Sequence, residues 1–186
     1  MTVEEIFTKI SAHMINGMMF HEQMANYYQF LGFYGYMRCH EYRYLCETME
    51  HRKLNFCYMN LYNKLIPETE FDNTSAIPSN WYRYTRQEVD NSTKRNAVEN
   101  GVAMWLKWEK ETVEMYKQMH EELEEKHEIT AAGYVSDLIC AAQKEIIHAE
   151  KKQLSLEAAE YSLAFVDGKQ DKMYHKYSKK LGDWLD

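Results

Sequence analysis

Residues 94–126 read KRNAVENGVAMWLKWEKETVEMYKQMHEELEEK, and apolar residues return in this stretch every three to four positions. This spacing places them on one face of an α-helix. The same face contains an acid, Glu109, between Leu106 and Val113. A carboxylate at a core position is costly unless it has a partner or a function. The stretch therefore predicts a long helix that carries a polar group in its buried face.

Helical periodicity covers three other parts of the chain as well. In chain order the four runs are about residues 2–33, 38–65, 94–126 and 131–166. The first opens with Thr2-Val-Glu-Glu5, which has the pattern of a capping box. Gly32 and Gly35 mark the turn that follows it, the second run stops before Pro67, and Asp167-Gly168 closes the fourth. The sequence thus predicts an all-α fold of two helical hairpins.

The segment Ile66–Thr93 contains both prolines of the chain and its densest turn-forming residues. It predicts one long connection, which is long enough to run the length of the bundle and make the second and third helices parallel. Residues 169–186 carry Met173, Tyr177, Leu181 and Trp184 at helical spacing. We therefore expect a bundle domain over residues 1–168 and a short C-terminal helix over 169–186 that packs on it.

Composition and charge exclude several classes of function. The chain has 186 residues, which suits one domain, and its formal net charge of -7 argues against a nucleic-acid partner. Its apolar runs are too short to span a membrane, and its start lacks the pattern of a signal peptide, so we expect a cytoplasmic protein. The four cysteines form no CxxC pair, which argues against a zinc site or a disulfide framework.

Acids and histidines recur near the middle of each hairpin. Glu145 and His148 lie three residues apart, so both side chains project from one helix face and can converge on one ion. Glu109 and His148 lie at matching distances from a turn centred near residue 128. On the second helix, Glu47 and His51 fall on the same line as the leucines. These residue types at these heights predict a metal site at mid-bundle.

These features resemble the ferritin-like superfamily, which includes ferritins, bacterioferritins and rubrerythrins. The matching pieces are His21-Glu22 on the first helix, Glu50-His51-Arg-Lys-Leu54 on the second, Trp108-Glu109-Lys-Glu on the third, and Glu145-Ile-Ile-His148-Ala-Glu-Lys151 on the fourth. The resemblance implies an all-α, ferritin-like four-helix bundle with one long crossover between the second and third helices. It is most specific on the fourth helix.

In that family a Glu from each of two helices and a Glu-x-x-His from each of the other two bind paired iron or manganese ions. Carried over to this chain, the resemblance implies two Fe or Mn ions. The implied ligands are Glu22, Glu47, His51, Glu109, Glu145 and His148.

This sequence departs from the family pattern at two places. Thr48 stands three residues before His51, where the family has Glu, so that either Glu47 pairs with His51 or Glu47 and Glu50 act together. On the first helix, the ligand is either Glu22, at the polar edge of the apolar stripe, or His21, within it.

Two classes of function remain open at this point. The first is a di-metal carboxylate protein that serves as a ferroxidase, another iron-handling protein or a small oxidase; as an enzyme it would be an oxidoreductase. The second is a metal-free ferritin-like module with a structural or protein-interaction role. In either case we expect a homo-oligomer. The fold alone does not distinguish the two classes.

Overall fold

A computed structural model describes residues 1–67 and 89–185 of the chain. Within these ranges the secondary structure consists of α-helices and contains no strand. The helices are α1 (Val3–Leu31), α2 (Tyr34–Tyr62), α3 (Asn91–Glu125), α4 (Ile129–Glu157) and α5 (Leu163–Leu185). The prediction of an all-α fold is confirmed.

The first helix begins and ends as its sequence predicts. The Thr2 hydroxyl accepts a hydrogen bond from the backbone N–H of Glu5 (3.1 Å), and the Glu5 carboxylate accepts one from the N–H of Thr2 (2.7 Å). The predicted capping box is therefore present. Gly32 ends α1 in the left-handed conformation, with φ of 84°, which a glycine adopts without strain.

The predicted bounds of α2 are wrong at both ends. The helix begins at Tyr34 instead of Arg38, so that Gly35 lies inside it and not in the turn. A glycine is needed at position 35 because α5 passes close to the backbone there. Its N–H donates to Gln170 Oε1 (2.7 Å), and a Cβ atom there would lie 2.6 Å from the Gln170 carbonyl oxygen. At the other end Asn63 takes the left-handed conformation, and α2 stops before Leu65 and Pro67 are reached.

The fourth helix also ends earlier than predicted, at Glu157 instead of Val166. The N–H of Tyr161 donates to the Leu156 carbonyl, and the N–H of Glu160 donates to the Glu157 carbonyl. These two bonds form a Schellman motif, whose left-handed residue is Glu160 and not a glycine. The sequence therefore lacks the usual signal, and Gly168, which was predicted to end α4, lies within the longer helix α5.

Contacts between helices show their relative directions. Ser11 meets His51 and His21 meets His40, so α1 and α2 are antiparallel. Between α1 and α3, His13 meets Thr112 while the N-terminal amine meets Glu122 near the other end of α3, which makes this pair antiparallel too. It follows that α2 and α3 point in the same direction. Most of the predicted crossover Ile66–Thr93 lies outside the described residues and stays a prediction.

The apolar core is divided into two clusters along the bundle axis. On α1 one cluster ends at Met14 and the other begins at Phe20, and on α3 the corresponding residues are Val113 and Trp105. The layer between the clusters is therefore at mid-bundle, and it contains Glu109. Among the described residues no helix is both long enough and apolar enough to cross a membrane.

Gly35→Ala tests the packing of α5 on α2. The added methyl group would meet backbone atoms of α5, so we expect a loss of about 1–3 kcal/mol of unfolding free energy. Gly133→Ala is the matched control, because Gly133 lies in α4 with open space at its Cβ position and should gain roughly 0.5–1 kcal/mol. Denaturant unfolding measures both changes. Equal effects of the two substitutions would contradict the described packing.

Candidate functional site

A cavity of about 280 Å³ opens at mid-bundle between α2, α3 and α4. Four glutamates, one histidine and one arginine line it, together with two lysines and several apolar or hydroxyl side chains. Apart from the two lysines, its charged and histidine side chains are Arg43, Glu47, Glu50, Glu109, Glu145 and His148. The cavity thus lies in the polar layer that separates the two apolar clusters.

Glu109 is the most deeply buried carboxylate of the cavity, with 3% of its surface exposed. The indole N–H of Trp105, one turn earlier on α3, donates to Glu109 Oε1 at 2.8 Å. Burial raises the pKa of Glu109 to about 7, although the Trp105 hydrogen bond acts in the opposite direction. The prediction that Glu109 lies within the apolar face of this helix is confirmed.

Glu47 and Glu50 come from the facing side of α2. Burial raises the pKa of Glu47 well above its usual value, and the neighbouring Glu50 and Glu109 raise it further. Burial also raises the pKa of Glu50, which Lys53 partly offsets. The carboxylate of Glu47 lies against Gly17 of α1, where a Cβ atom would be 3.2 Å from Glu47 Cδ. Gly17 therefore leaves the room that this carboxylate occupies.

Arg43 connects the second and fourth helices across the cavity. Its Nη1 forms a salt bridge with Glu145 Oε2, and its Nη2 lies 3.3 Å from His148 Nδ1. His148 Nδ1 in turn lies 3.4 Å from Glu145 Oε2, so the predicted Glu-x-x-His pair does converge, and it converges on a guanidinium. The Arg43 side chain is 6% exposed. Glu145 raises the pKa of Arg43 beyond its already high value, against the effect of burial.

The charges of the cavity do not balance. Four carboxylates face it, and Arg43 is the buried cation among the lining residues that the structure describes. Lys144 is exposed, and Lys180 reaches the cavity from α5 with its Nζ 4.5 Å from the centre of the Tyr42 ring. Carboxylates held together with too little positive charge favour protonation or the binding of a cation.

Four of the six predicted ligands line this cavity and two do not. Glu47, Glu109, Glu145 and His148 are brought together, and so is Glu50, the alternative partner of Glu47. His51 instead turns toward α1, where its Nε2 lies 2.8 Å from Ser11 Oγ.

Neither candidate of the first helix reaches the cavity. Glu22 is exposed beside a separate shallow pocket that Arg38 and Glu41 also line. His21 is buried, with its Nδ1 2.9 Å from His40 Nδ1. On α1 it is Gly17 that lies against the Glu47 carboxylate.

Within residues 1–67 and 89–185, no group of three or more His, Cys, Asp or Glu side chains could hold a metal ion in the described arrangement. Comparison with protein-family models, with curated proteins and with solved structures gives no match. The residues of the cavity themselves are therefore the evidence for function.

Arg43 and Gly17 are two residues of the site that the sequence did not indicate. Arg43 stands four residues before Glu47, and Glu50 stands three after it, so these side chains follow one helix face. The predicted line is confirmed at His40, Leu54 and Tyr58, which are buried, and Arg43 and Glu50 lie beside it. The line chosen from sequence included Tyr44 and His51, which lie one residue further along.

The pH dependence of stability tests the burial of Glu109. A raised pKa in the folded protein means that the ionised form is disfavoured there, so stability falls as pH rises from about 4.5 through about 7. Glu109→Gln removes this loss and keeps an acceptor for Trp105. With chelator present, we expect the variant to be more stable than wild type above pH 8, by at most about 3 kcal/mol, and equal to it near pH 5.

Glu111→Gln serves as the control for this experiment. Glu111 lies on the same helix, is 59% exposed and pairs with Lys107. Denaturant unfolding at a series of pH values should show no comparable gain for it. A difference between Glu109→Gln and wild type that does not change with pH would contradict the raised pKa.

Proposed function

We propose that this protein is a ferritin-like carboxylate protein whose mid-bundle cavity binds divalent iron or manganese, for iron handling or for oxidation chemistry. One observation carries the proposal. Glu47, Glu50, Glu109 and Glu145 converge with His148 on one cavity that holds too little positive charge. A bound cation would relieve the repulsion between these carboxylates, which otherwise lowers the stability of the fold.

The donor set suits such an ion. Carboxylate oxygens together with an imidazole nitrogen are the ligands that Mn²⁺ and Fe²⁺ accept in proteins. The parallel directions of α2 and α3 and the position of the cavity at mid-bundle also support a ferritin-like arrangement. The set differs from the family pattern because α1 supplies Gly17 in place of a carboxylate. Whether two ions bind, as the family pattern implies, stays a prediction for metal analysis of protein purified without chelator.

The chain's own residues would have separate tasks at this site. Glu47, Glu50 and Glu109 are the carboxylates that Arg43 does not hold, so they would be the first donors to a cation. Trp105 fixes Oε1 of Glu109 through its indole N–H. An iron or manganese ion, when bound, would supply one-electron redox chemistry. As an enzyme, the protein would be an oxidoreductase of the di-iron carboxylate type.

Thermal unfolding with added metal tests the proposal. A ligand that binds only the folded state at 100 times its Kd stabilises it by about 2.7 kcal/mol, which corresponds to a Tm rise of roughly 5–10 °C for a chain of this size. We expect Mn²⁺ to raise the Tm of wild type in this way and to have little effect on Glu47→Gln. Aerobic Fe²⁺ oxidation, followed by absorbance, should decline in the same variant.

Glu41→Gln is the control for both measurements. Glu41 lies on α2 outside the cavity and pairs with Arg38 at 2.7 Å. It should respond to Mn²⁺ as wild type does. No Tm rise in wild type, or an equal rise in Glu47→Gln, would remove the basis of the proposal.

A second candidate, the metal-free structural or interaction module, is favoured by the salt bridge between Arg43 and Glu145. Arg43 thereby supplies, from within the chain, part of the positive charge that the carboxylates need. In that case the polar layer would serve to fix the relative positions of α2 and α4. Metal would then leave the Tm unchanged, while loss of the ion pair would be costly.

Glu145→Ala measures the contribution of that ion pair. Removal of one partner leaves the other charge buried, so we expect a loss of about 3–5 kcal/mol of unfolding free energy in the presence of chelator. Glu150→Ala is the matched control on α4, because Glu150 forms an exposed pair with Lys110 (3.3 Å) and should cost less than about 1 kcal/mol. A loss for Glu145→Ala as small as that of the control would mean that the pair is not buried in solution.

A further inference from the structure

Arg43 has an unusual environment for an arginine of a helical bundle. Only 5% of its surface is exposed. Its guanidinium contacts Glu145 and His148 on α4, and its Nε is buried without a hydrogen-bond partner among the described residues. The side chain is thus directed into the cavity, and its capacity for hydrogen bonds is only partly used.

A guanidinium and a metal ion would compete for these two partners. Arg43 Nη1 contacts Oε2 of Glu145 and Arg43 Nη2 lies 3.3 Å from His148 Nδ1, so a metal ion that binds either residue shares it with the guanidinium. A second cation at this distance would also repel the guanidinium in a site of low dielectric constant. Binding of metal to Glu145 and His148 therefore weakens the contacts of Arg43 with them, and these contacts weaken the binding of metal to the same extent.

Two aromatic rings are placed to retain the guanidinium when it is displaced. The Arg43 Cζ atom lies 5.4 Å from the centre of the Trp105 ring and 5.8 Å from that of the Tyr42 ring. Cation–π contacts at these distances stabilise a cation and do not depend on Glu145. Loss of the salt bridge would therefore leave Arg43 with partial compensation for its buried charge.

We propose that Arg43 is the resident cation of the cavity and that it sets the affinity for divalent metal by competing for Glu145 and His148. The inference rests on the proposed function and adds to it a residue that determines affinity. Metal then binds at the expense of the ion pair between α2 and α4, so that the wild-type affinity is lower than the carboxylates alone would give. Arg43 is a positioning residue here and is not itself a ligand.

Equilibrium binding of Mn²⁺ at neutral pH to wild type, Arg43→Gln and Arg38→Gln tests the proposal. Arg38→Gln removes the same charge from α2, but Arg38 pairs with Glu41 outside the cavity, so it controls for long-range electrostatics. We expect Arg43→Gln to bind Mn²⁺ more tightly than wild type, on the order of tenfold, and Arg38→Gln to bind as wild type does. Circular dichroism verifies that each variant is folded.

Arg43→Lys provides a second variant in case Arg43→Gln does not fold. Lysine keeps the charge but presents a single ammonium, which cannot reach Glu145 and His148 together as the guanidinium fork does. We expect it to bind Mn²⁺ with an affinity between those of wild type and Arg43→Gln.

The possible outcomes separate this inference from the proposed function. Binding by wild type with equal or weaker binding by the Arg43 variants would overturn the competition and leave the metal function standing. Binding by the Arg43 variants alone would support the competition and overturn the metal function of the natural chain. Binding by none of the proteins would overturn both. An equal gain in Mn²⁺ affinity in Arg38→Gln would show that the gain comes from the loss of any positive charge on α2. This result would also overturn the competition.

Discussion

Carboxylates buried at the middle of a helical bundle impose the main physical constraint on this protein. Ionised Glu109 in a site that is 3% exposed loses most of its hydration, and Glu47 and Glu50 add like charges beside it. The cavity layer therefore opposes folding unless it is protonated or compensated. Stability has to come from the apolar clusters on either side of it, which draw residues from α1, α2, α3 and α4.

Several neighbouring residues are explained by this constraint. Trp105 donates to one carboxylate, Gly17 leaves space for a second, and Arg43 pairs with a third. Each of these residues reduces the cost of a buried acid without removing the acid itself. A layer that served stability alone would be better filled with apolar side chains of similar volume. The retained acids thus favour a function that uses their charge, and the two candidate functions differ in whether the balancing cation is a metal ion or Arg43.

Much of the fold could be predicted from sequence because it depends on local periodicity. The all-α class, the capping box at Thr2, the turn at Gly32 and the burial of Glu109 all follow from spacing along one helix. The position of Gly35 inside α2 could not be predicted, because it depends on the backbone of α5, which is distant in sequence. The end of α4 was missed because its left-handed residue is Glu160, where sequence rules expect glycine.

The candidate site was predicted in part for a related reason. Equal distances from the hairpin turns placed Glu109, Glu145 and His148 at one height, and they do line one cavity. The predicted line of α2 is confirmed at His40, Leu54 and Tyr58, which are buried, and of the two alternatives left open beside Glu47 the cavity contains Glu50 and not His51. Periodicity does not indicate which charged residue of a helix pairs across the bundle, so the role of Arg43 required the structure. The same limit applies to α1, where Gly17 and not Glu22 lies against the Glu47 carboxylate.

We propose that the cavity, which is short of positive charge, accepts a divalent cation. Anomalous diffraction from crystals soaked in Mn²⁺ tests it most directly, because it locates the ion and the Arg43 side chain in one measurement. We expect an anomalous peak inside the cavity, within coordination distance of Glu47, Glu50, Glu109 and Glu145, with Arg43 displaced from Glu145. A cavity without a peak, in which Arg43 still pairs with Glu145 at saturating Mn²⁺, would contradict it.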